Sequence, residues 1–290
     1  MSHIPVLKKE VLEGLDPKPG ENFVDCTLGE AGHSLAILEK TAPDGKILGI
    51  ETDTISYEKV KDISDRLIAV NDSYTNLKEI IQKNNFLKIS GILLDLGMSS
   101  FHIDESKRGF SFLRNEILDM RFNKNSNVTA EKIINEYSKD ELENILKEYG
   151  QERFARRIAE KINETRNIRQ IKTTGELSEI IKESIPYKFQ RGKINPATRV
   201  FQALRIAVNS ELNNLSIVLP QAIEALKPKG RLAIISFHSL EDRIVKNFLK
   251  ESEKNNKLKI ISKKPITPLF EEISNNHRAR SAKLRLAVKI

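Results

Sequence analysis

Two glycines and an acid carry the first chemical signal in this chain. Gly29 and Gly32 lie within Phe23-Val24-Asp25-Cys26-Thr27-Leu28-Gly29-Glu30-Ala31-Gly32-His33-Ser34. The run Asn22 to Val24 before them reads as a buried strand, and Ser34-Leu35-Ala36-Ile37-Leu38 after them opens a helical run. Strand, glycine loop and helix make the ligand-binding corner of a doubly wound α/β fold. Lacking a Cβ, Gly29 lets the chain turn sharply and Gly32 lets backbone approach a ligand. The next strand, Lys46 to Ile50, ends in Glu51, 22 residues after Gly29. That is about the spacing at which an acid reaches ribose hydroxyls. Gly29-x-x-Gly32 lacks the third glycine of a dinucleotide fingerprint, and no Lys-Ser/Thr pair follows it to cradle phosphates. The loop therefore fits a ligand with a nucleoside and no phosphates, of which S-adenosylmethionine is the commonest. An ordinary β–α turn that needs small residues is the plainer alternative.

The elements that must hold this corner alternate. Strands are expected at Asn22–Thr27, Lys46–Glu51, Arg66–Asn71 and Ile89–Asp95, with helices at Ser34–Lys40, Ser56–Ile63 and Asn76–Asn84 between them. Such βαβ order implies a parallel sheet with right-handed crossovers. From about residue 101 to 209 the pattern breaks into loop and helix. Ser138-x-x-Glu141 and Thr173-x-x-Glu176 read as capping boxes that open helices. Arg153, Arg156, Arg157 and Lys161 share one helix face, with Phe154, Ile158 and Ile162 on another. The α/β pattern resumes with a helix at Glu211–Leu226, a turn at Leu226-Lys227-Pro228-Lys229-Gly230 and a strand at Arg231–Phe237. A helix at Leu240–Leu249 and strands at Leu258–Ile261 and Ala282–Lys289 follow. The predicted organisation is a discontinuous α/β domain, 1–100 and 210–290, with an all-helical insert at 101–209.

The chain has 290 residues, a net charge of +8 and one cysteine. A length of this order buries a full core. One cysteine excludes a disulfide framework, and Met1-Ser2-His3-Ile4-Pro5 offers no secretory h-region, so a cytoplasmic protein is expected. No run is long enough to span a membrane. The histidines and the cysteine show no zinc-ligand spacing, and no metal is expected. Residues 1–150 hold 19 Lys+Arg and 26 Asp+Glu, whereas 151–290 hold 29 and 14. Half the chain is thus acidic and half strongly basic, which suits a small ligand in one and a polyanion at the other; a solvated basic surface is the alternative.

Sheet, glycine loop, acid on the second strand and Leu226-Lys227-Pro228-x-Gly230-x-Leu232 together resemble a class I S-adenosylmethionine methyltransferase, a Rossmann-like fold with a mostly parallel seven-stranded sheet. The motifs narrow the resemblance: His3-x-Pro5-Val6-Leu7, Asp25-x-Thr27-x-Gly29-x-x-Gly32-His33-Ser34, Asp95-Leu96-Gly97-x-Ser99-Ser100 and Arg108-Gly109-Phe110-Ser111-Phe112. Leu118-Asp119-Met120-Arg121, Asn195-Pro196-Ala197-Thr198-Arg199-x-Phe201-Gln202-Ala203-Leu204-Arg205, Ser236 to Arg243 and Arg278-Ala279-Arg280-Ser281-x-Lys283-Leu284-Arg285 complete the set. Across nearly its whole length the chain is similar to the bacterial ribosomal RNA small-subunit methyltransferase H family. The resemblance implies methylation of the exocyclic N4 of a cytosine in the decoding centre of 16S rRNA, with the small ribosomal subunit as partner; the oligomeric state stays open, a homodimer included. It further implies that Ala31, Gly32, His33, Glu51, Tyr74, Asp95 and His102 bind the cofactor. Ala31 replaces the usual glycine, which a negative φ would tolerate. Glu51 replaces the usual Asp, leaving Asp53 as a competing ribose ligand, and His102 stands where Gln is usual.

Methyl transfer to N4 needs an acceptor for an amino hydrogen, because the nitrogen lone pair is delocalised into the ring. Asp95-Leu96-Gly97-Met98 lacks the proline pair and aromatic that many amino-methyltransferases place there. Asp119 is the first candidate acceptor, against a salt bridge to Arg121 or a helix cap. His238, at the end of a sheet strand, is the second candidate catalytic residue, against a cap on the following helix. Phe110 and Phe112 are candidates to stack on a flipped base or to pack a core. Arg278, Arg280, Lys283 and Arg285 suit phosphate contacts. Two other readings stay open: a class I methyltransferase on another substrate, and a non-catalytic RNA-binding factor in ribosome assembly.

Overall fold

The computed structural model describes residues 5–190 and 195–290, so His3 of the first motif lies outside the described residues. The chain forms two compact units. One comprises residues up to Gly97 and from Leu212 onward, and the other spans Met98–Glu211.

The first unit is built on strands β1 Asn22–Asp25, β2 Ile47–Glu51, β3 Leu67–Asn71, β4 Ile89–Asp95, β5 Leu226–Ser236, β6 Leu258–Ile260 and β7 Lys283–Lys289. Their order in the sheet is β3-β2-β1-β4-β5-β7-β6, parallel from β3 to β5, with β7 antiparallel to both neighbours. This is the class I methyltransferase architecture. Its helices are α1 Lys8–Leu15, α2 Gly32–Lys40, α3 Thr54–Val60 and α4 Leu77–Lys83. The second unit contributes α5 Ser100–Asp104, α6 Ala130–Glu136, α7 Lys139–Glu148, α8 Ala155–Arg166, α9 Thr174–Ser184, α10 Tyr187–Gln190 and α11 Ala197–Asn209. Then come α12 Glu211–Ala225, α13 Ser239–Lys254 and α14 Phe270–Asn275.

Successive side chains of a strand point to opposite faces, so a sheet covered on both sides needs apolar residues at consecutive positions. Val24, Leu48, Ile50, Ile92 and Ile234 pack under α4, α12 and α13, while Phe23, Ile47, Leu93, Ala233 and Ile235 pack under α1, α2 and α3. The predicted turn at Leu226–Gly230 is instead a bulge inside β5. Leu226 pairs with Ile89 and the next paired residue is Arg231, opposite Gly91. Pro228, which can donate no ladder hydrogen bond, lies in this unpaired stretch.

The helical unit has its own core, formed by Ile133 and Ile134 of α6, Leu142 and Leu146 of α7, Ile158 and Ile162 of α8, Leu177 and Ile181 of α9, and Val200 and Leu204 of α11. Both capping boxes are present: Ser138 with Glu141 opens α7 and Thr173 with Glu176 opens α9. Among the described residues no helix is long and apolar enough to cross a membrane.

Candidate cofactor site

The carboxyl ends of the central parallel strands gather the acids. Glu51 closes β2 and Asp95 closes β4, on either side of β1 and the loop that follows it. Glu51 is only 8% exposed. Its Oε2 accepts the Gly29 N–H at 2.9 Å and its Oε1 the Asp53 N–H at 2.7 Å. Acid and glycine loop are therefore one hydrogen-bonded piece. Burial pushes the Glu51 carboxyl up to about 7, and the neighbouring Asp53 and Asp25 charges add to the shift, against the two backbone donors. Asp53, the competing ribose ligand, caps α3: its Oδ1 accepts from Ile55 N at 2.9 Å and Ser56 N at 3.3 Å.

Gly29 has φ 52°, the left-handed conformation that a sharp turn requires. Ala31 departs from the expected negative φ, with φ 60° and ψ 16°. It is the N-cap residue of α2, fully buried, and the packed loop around it imposes a conformation that costs a non-glycine residue about 1 kcal/mol or more. Gly32 meets a packing demand as well. A Cβ there would sit 2.5 Å from Pro5 Cγ, so the packed N-terminal segment itself demands a small residue.

His33 Nε2 lies 3.5 Å from Asp95 Oδ2, an ion-pair distance without hydrogen-bond geometry. Burial pushes the imidazole down, but the Asp95 and Asp25 carboxylates outweigh this and hold it above its ordinary value. Asp95 Oδ1 is buried with no hydrogen-bond partner among the described residues. Asp25 and Thr27, whose role does not show in the sequence, brace this arrangement. Asp25 Oδ2 accepts from Ser34 Oγ at 2.7 Å and Oδ1 from Thr27 N at 3.1 Å, while Thr27 Oγ1 accepts the Asp95 N–H at 2.6 Å. Burial raises the Asp25 carboxyl. An acid followed by hydroxyls two and nine residues later, at the end of an apolar strand, was the available sequence signal. Tyr74 opens a short 3-10 turn after β3, half-buried against the sheet core.

His238 lies in the same unit, at the end of β5, and two further candidates lie in the helical unit. His238 is the N-cap of α13, its Nδ1 accepting from Glu241 N at 3.4 Å while Glu241 Oε2 accepts from Phe237 N at 2.9 Å. His102 and Asp119 belong to the helical unit. His102 Nδ1 lies 2.9 Å from Ser99 Oγ in the capping box of α5, and its ring packs 4.9 Å from Phe122. Asp119 is held by Arg121 through both oxygens, Nε to Oδ1 at 2.7 Å and Nη2 to Oδ2 at 2.9 Å. Burial favours its neutral form, but the Arg121 hydrogen bonds outweigh that and keep the carboxyl below its usual value. Both aromatic candidates pack in the helical core: Phe110 stacks on Phe122 with centroids 5.4 Å apart, and Phe112 meets Phe201 edge-on. Two of the four candidate phosphate ligands are spent on structure. Arg285 Nε donates to Asp242 Oδ1 at 2.6 Å and Lys283 Nζ to Oδ2 at 3.4 Å.

A family model described as the MraW methylase family matches residues 1–290. Proteins named ribosomal RNA small subunit methyltransferase H align over 99% of the chain at 45% identity. They include one from Clostridium botulinum strain Kyoto and one from Heliobacterium mobile, each covered over 99% of its length. Another, from Dehalococcoides mccartyi, is 45% identical and covered over 86%. Among solved structures, an rRNA methylase from Streptococcus thermophilus aligns over 98% of this chain and 93% of its own, with a TM-score of 0.45 and 9% identity.

Proposed function

The chain belongs to the MraW methylase family, and we propose that it transfers the methyl group of S-adenosylmethionine to the exocyclic N4 of a cytosine in the 16S rRNA of the small ribosomal subunit. The observation that carries the cofactor half is Glu51, a buried acid hydrogen-bonded to the glycine loop at the carboxyl end of β2. A carboxylate has about four acceptor sites, and two here are taken by backbone, which leaves acceptors for the two ribose hydroxyls. Asp53 is committed to its helix, so Glu51 is the ribose ligand. The orphaned Oδ1 of Asp95 fits the ammonium of the methionine part, since a buried carboxylate oxygen with no donor favours a cation. Ala31, Gly32 and His33 form the loop wall, and Tyr74 offers an aromatic face to the adenine. His102, from the helical unit, is assigned with them on the family pattern alone.

When bound, S-adenosylmethionine supplies an electrophilic methyl carbon on a cationic sulfur. The protein must align N4 with that carbon and accept a proton from the nitrogen as it becomes cationic. A methylated N4 cation is a strong acid, so a weak base suffices if it is positioned. Asp119, kept ionised and oriented by Arg121, is proposed as that acceptor. His238 is the other catalytic candidate; its capping bonds fix its ring orientation at the end of β5.

Tritium transfer from labelled cofactor to small-subunit particles lacking the modification, followed by nucleoside mass spectrometry of 16S rRNA, tests this reading. The expected product is N4-methylated cytidine. Label in protein, or at another nucleoside, overturns it.

A further inference from the structure

The helical unit carries a surface feature that neither cofactor binding nor methyl transfer uses. Just before α8 the Arg153 guanidinium lies over two rings, 5.7 Å from the centroid of Phe154 and 5.1 Å from that of Phe189. The rings are 5.3 Å apart and tilted by 51°. Lys188 Nζ lies 5.1 Å over the same Phe189 ring. Phe189 is 39% exposed and the adjacent Tyr187 64%. Their short helix α10 is pinned to the end of α9, because Gln190 Nε2 donates to Lys182 O at 2.8 Å and to Ile185 O at 2.7 Å. Phe154 anchors the cluster by packing on the core of the unit.

Aromatic rings left in water forgo the burial that normally places them inside. Here the exposed rings are held next to guanidinium and ammonium groups by packing and backbone bonds. Charge separates the candidate occupants. Nearby acids are engaged elsewhere: Glu160 pairs with Arg156 at 3.1 Å, Glu183 faces Lys161 at 3.6 Å, and Glu152 is buried, accepting from Phe154 N. Among the described residues no acid pairs with Arg153, Arg157 or Lys188. Residues 151–205 as a whole hold 13 Lys+Arg against 6 Asp+Glu. Flat π faces joined to unpaired cations suit a single-stranded nucleic acid, whose bases stack and whose phosphates pair. An apolar or cationic protein surface would meet the wrong charge.

We propose that Arg153, Tyr187 and Phe189 form a stacking platform for one or two unpaired bases of an RNA single strand, with Arg157 and Lys188 contacting its phosphates. The platform deepens the reading of the protein as an rRNA methyltransferase and rests on it.

The test uses the full-length protein and a fluorescein-labelled 12-nucleotide pyrimidine RNA, read by anisotropy, beside a duplex RNA of equal length. Wild-type methylation of small-subunit particles is measured in parallel. Absent methylation by the wild type refutes the functional reading, whereas normal methylation with unaltered variants refutes the platform alone. Phe189→Leu keeps apolar volume without a π face, and Tyr187→Ala removes an exposed ring. Each is expected to weaken single-strand binding about tenfold, within the usual range for one stacked base, while S-adenosylmethionine affinity stays unchanged. Arg153→Lys retains the charge and is expected to lose affinity with little change in salt slope, while Lys188→Ala should flatten the slope by about one. Equal loss for duplex and single strand, or no loss for Phe189→Leu and Tyr187→Ala in proteins with wild-type melting curves, overturns the platform. Loss on assembled particles but not on protein-free RNA overturns it too, and assigns the patch to a protein contact.

Discussion

The acids of the candidate cofactor site are held differently from those of the helical unit. In the sheet unit the acids Asp25, Glu51 and Asp95 are drawn into the carboxyl ends of the strands, away from Lys and Arg, and braced by backbone N–H groups and hydroxyls. Burial raises the carboxyls of Asp25 and Glu51, that of Glu51 to about 7. In the helical unit the acids serve locally: Glu141 and Glu176 close capping boxes, and Asp119 and Glu211 hold Arg121 and Arg205. Cations such as Arg153 and Arg157 are left at the surface. Buried acids suit a small cationic ligand, because its arrival offsets part of the cost of their burial. A surplus of exposed cations suits a polyanion that brings its own charge.

The most severe way to break this comparison is to remove one side of it. Replacing 98–211 with a short Gly/Ser linker should abolish methyl transfer to small-subunit particles and leave S-adenosylmethionine affinity within about tenfold, as His102 is the one residue of the proposed cofactor set that is lost. Calorimetry on the shortened protein, after circular dichroism has shown it folded, decides this. Methylation that survives the replacement would move substrate recognition to the sheet unit.

Glu51→Ala attacks the other side. It removes the proposed ribose acceptor and orphans the backbone donors of Gly29 and Asp53, and charged hydrogen bonds are worth about 1.5–3 kcal/mol each. Cofactor affinity should fall about a hundredfold or more, with RNA affinity unchanged. Unaltered calorimetric affinity would transfer the ribose to Asp53. Asp119→Asn makes the converse change in the helical unit. It should lower the rate of methyl transfer by about 10²-fold or more, the lower range for a positioned acid–base group, and spare the cofactor Kd. A rate within twofold of wild type removes Asp119 from the chemistry.

Protonation gives a smaller, graded effect. Glu51 rises from an unfolded value of 4.5 to about 7 on folding, so the native state binds the extra proton between those limits. Its contribution to stability is therefore full below about pH 4.5 and is lost as pH climbs through about 7. Ribose binding needs the ionised form and runs the other way. S-adenosylmethionine affinity should climb several-fold from pH 6 to 8 while the Glu51 contribution to stability declines. Isothermal titration across that range checks it, and a flat profile would mean that Glu51 is already ionised at pH 6.

The smallest expected effect is at the loop. Ala31→Gly relieves left-handed strain of about 1 kcal/mol but gives up a buried methyl of similar worth, so the melting temperature should move by less than about 3 °C. Ala31→Val, β-branched at positive φ, should lower both melting temperature and cofactor affinity. A neutral valine would show that the loop does not hold Ala31 left-handed.

Short-range patterns were enough for much of this protein. Apolar runs and their spacing placed the strands, because a parallel sheet buried on both faces leaves no polar alternation to confuse them. Ser138 and Thr173 announced helix starts through partners only three residues away, and Glu51 was marked by its distance from Gly29. Folding alone decided what depends on distant neighbours. Pro5, 27 residues away in the chain, packs where a side chain at position 32 would sit. Arg285, a plausible phosphate ligand in the sequence, meets Asp242 only because β7 runs antiparallel to β5 beside α13. Phe110 and Phe112 are drawn inward by a core assembled from five helices, while Phe189 stays outside it. The pKa of Glu51 and the orphaned oxygen of Asp95 follow from desolvation, which a sequence cannot display, because burial is set by everything that packs around a residue rather than by the residues beside it in the chain.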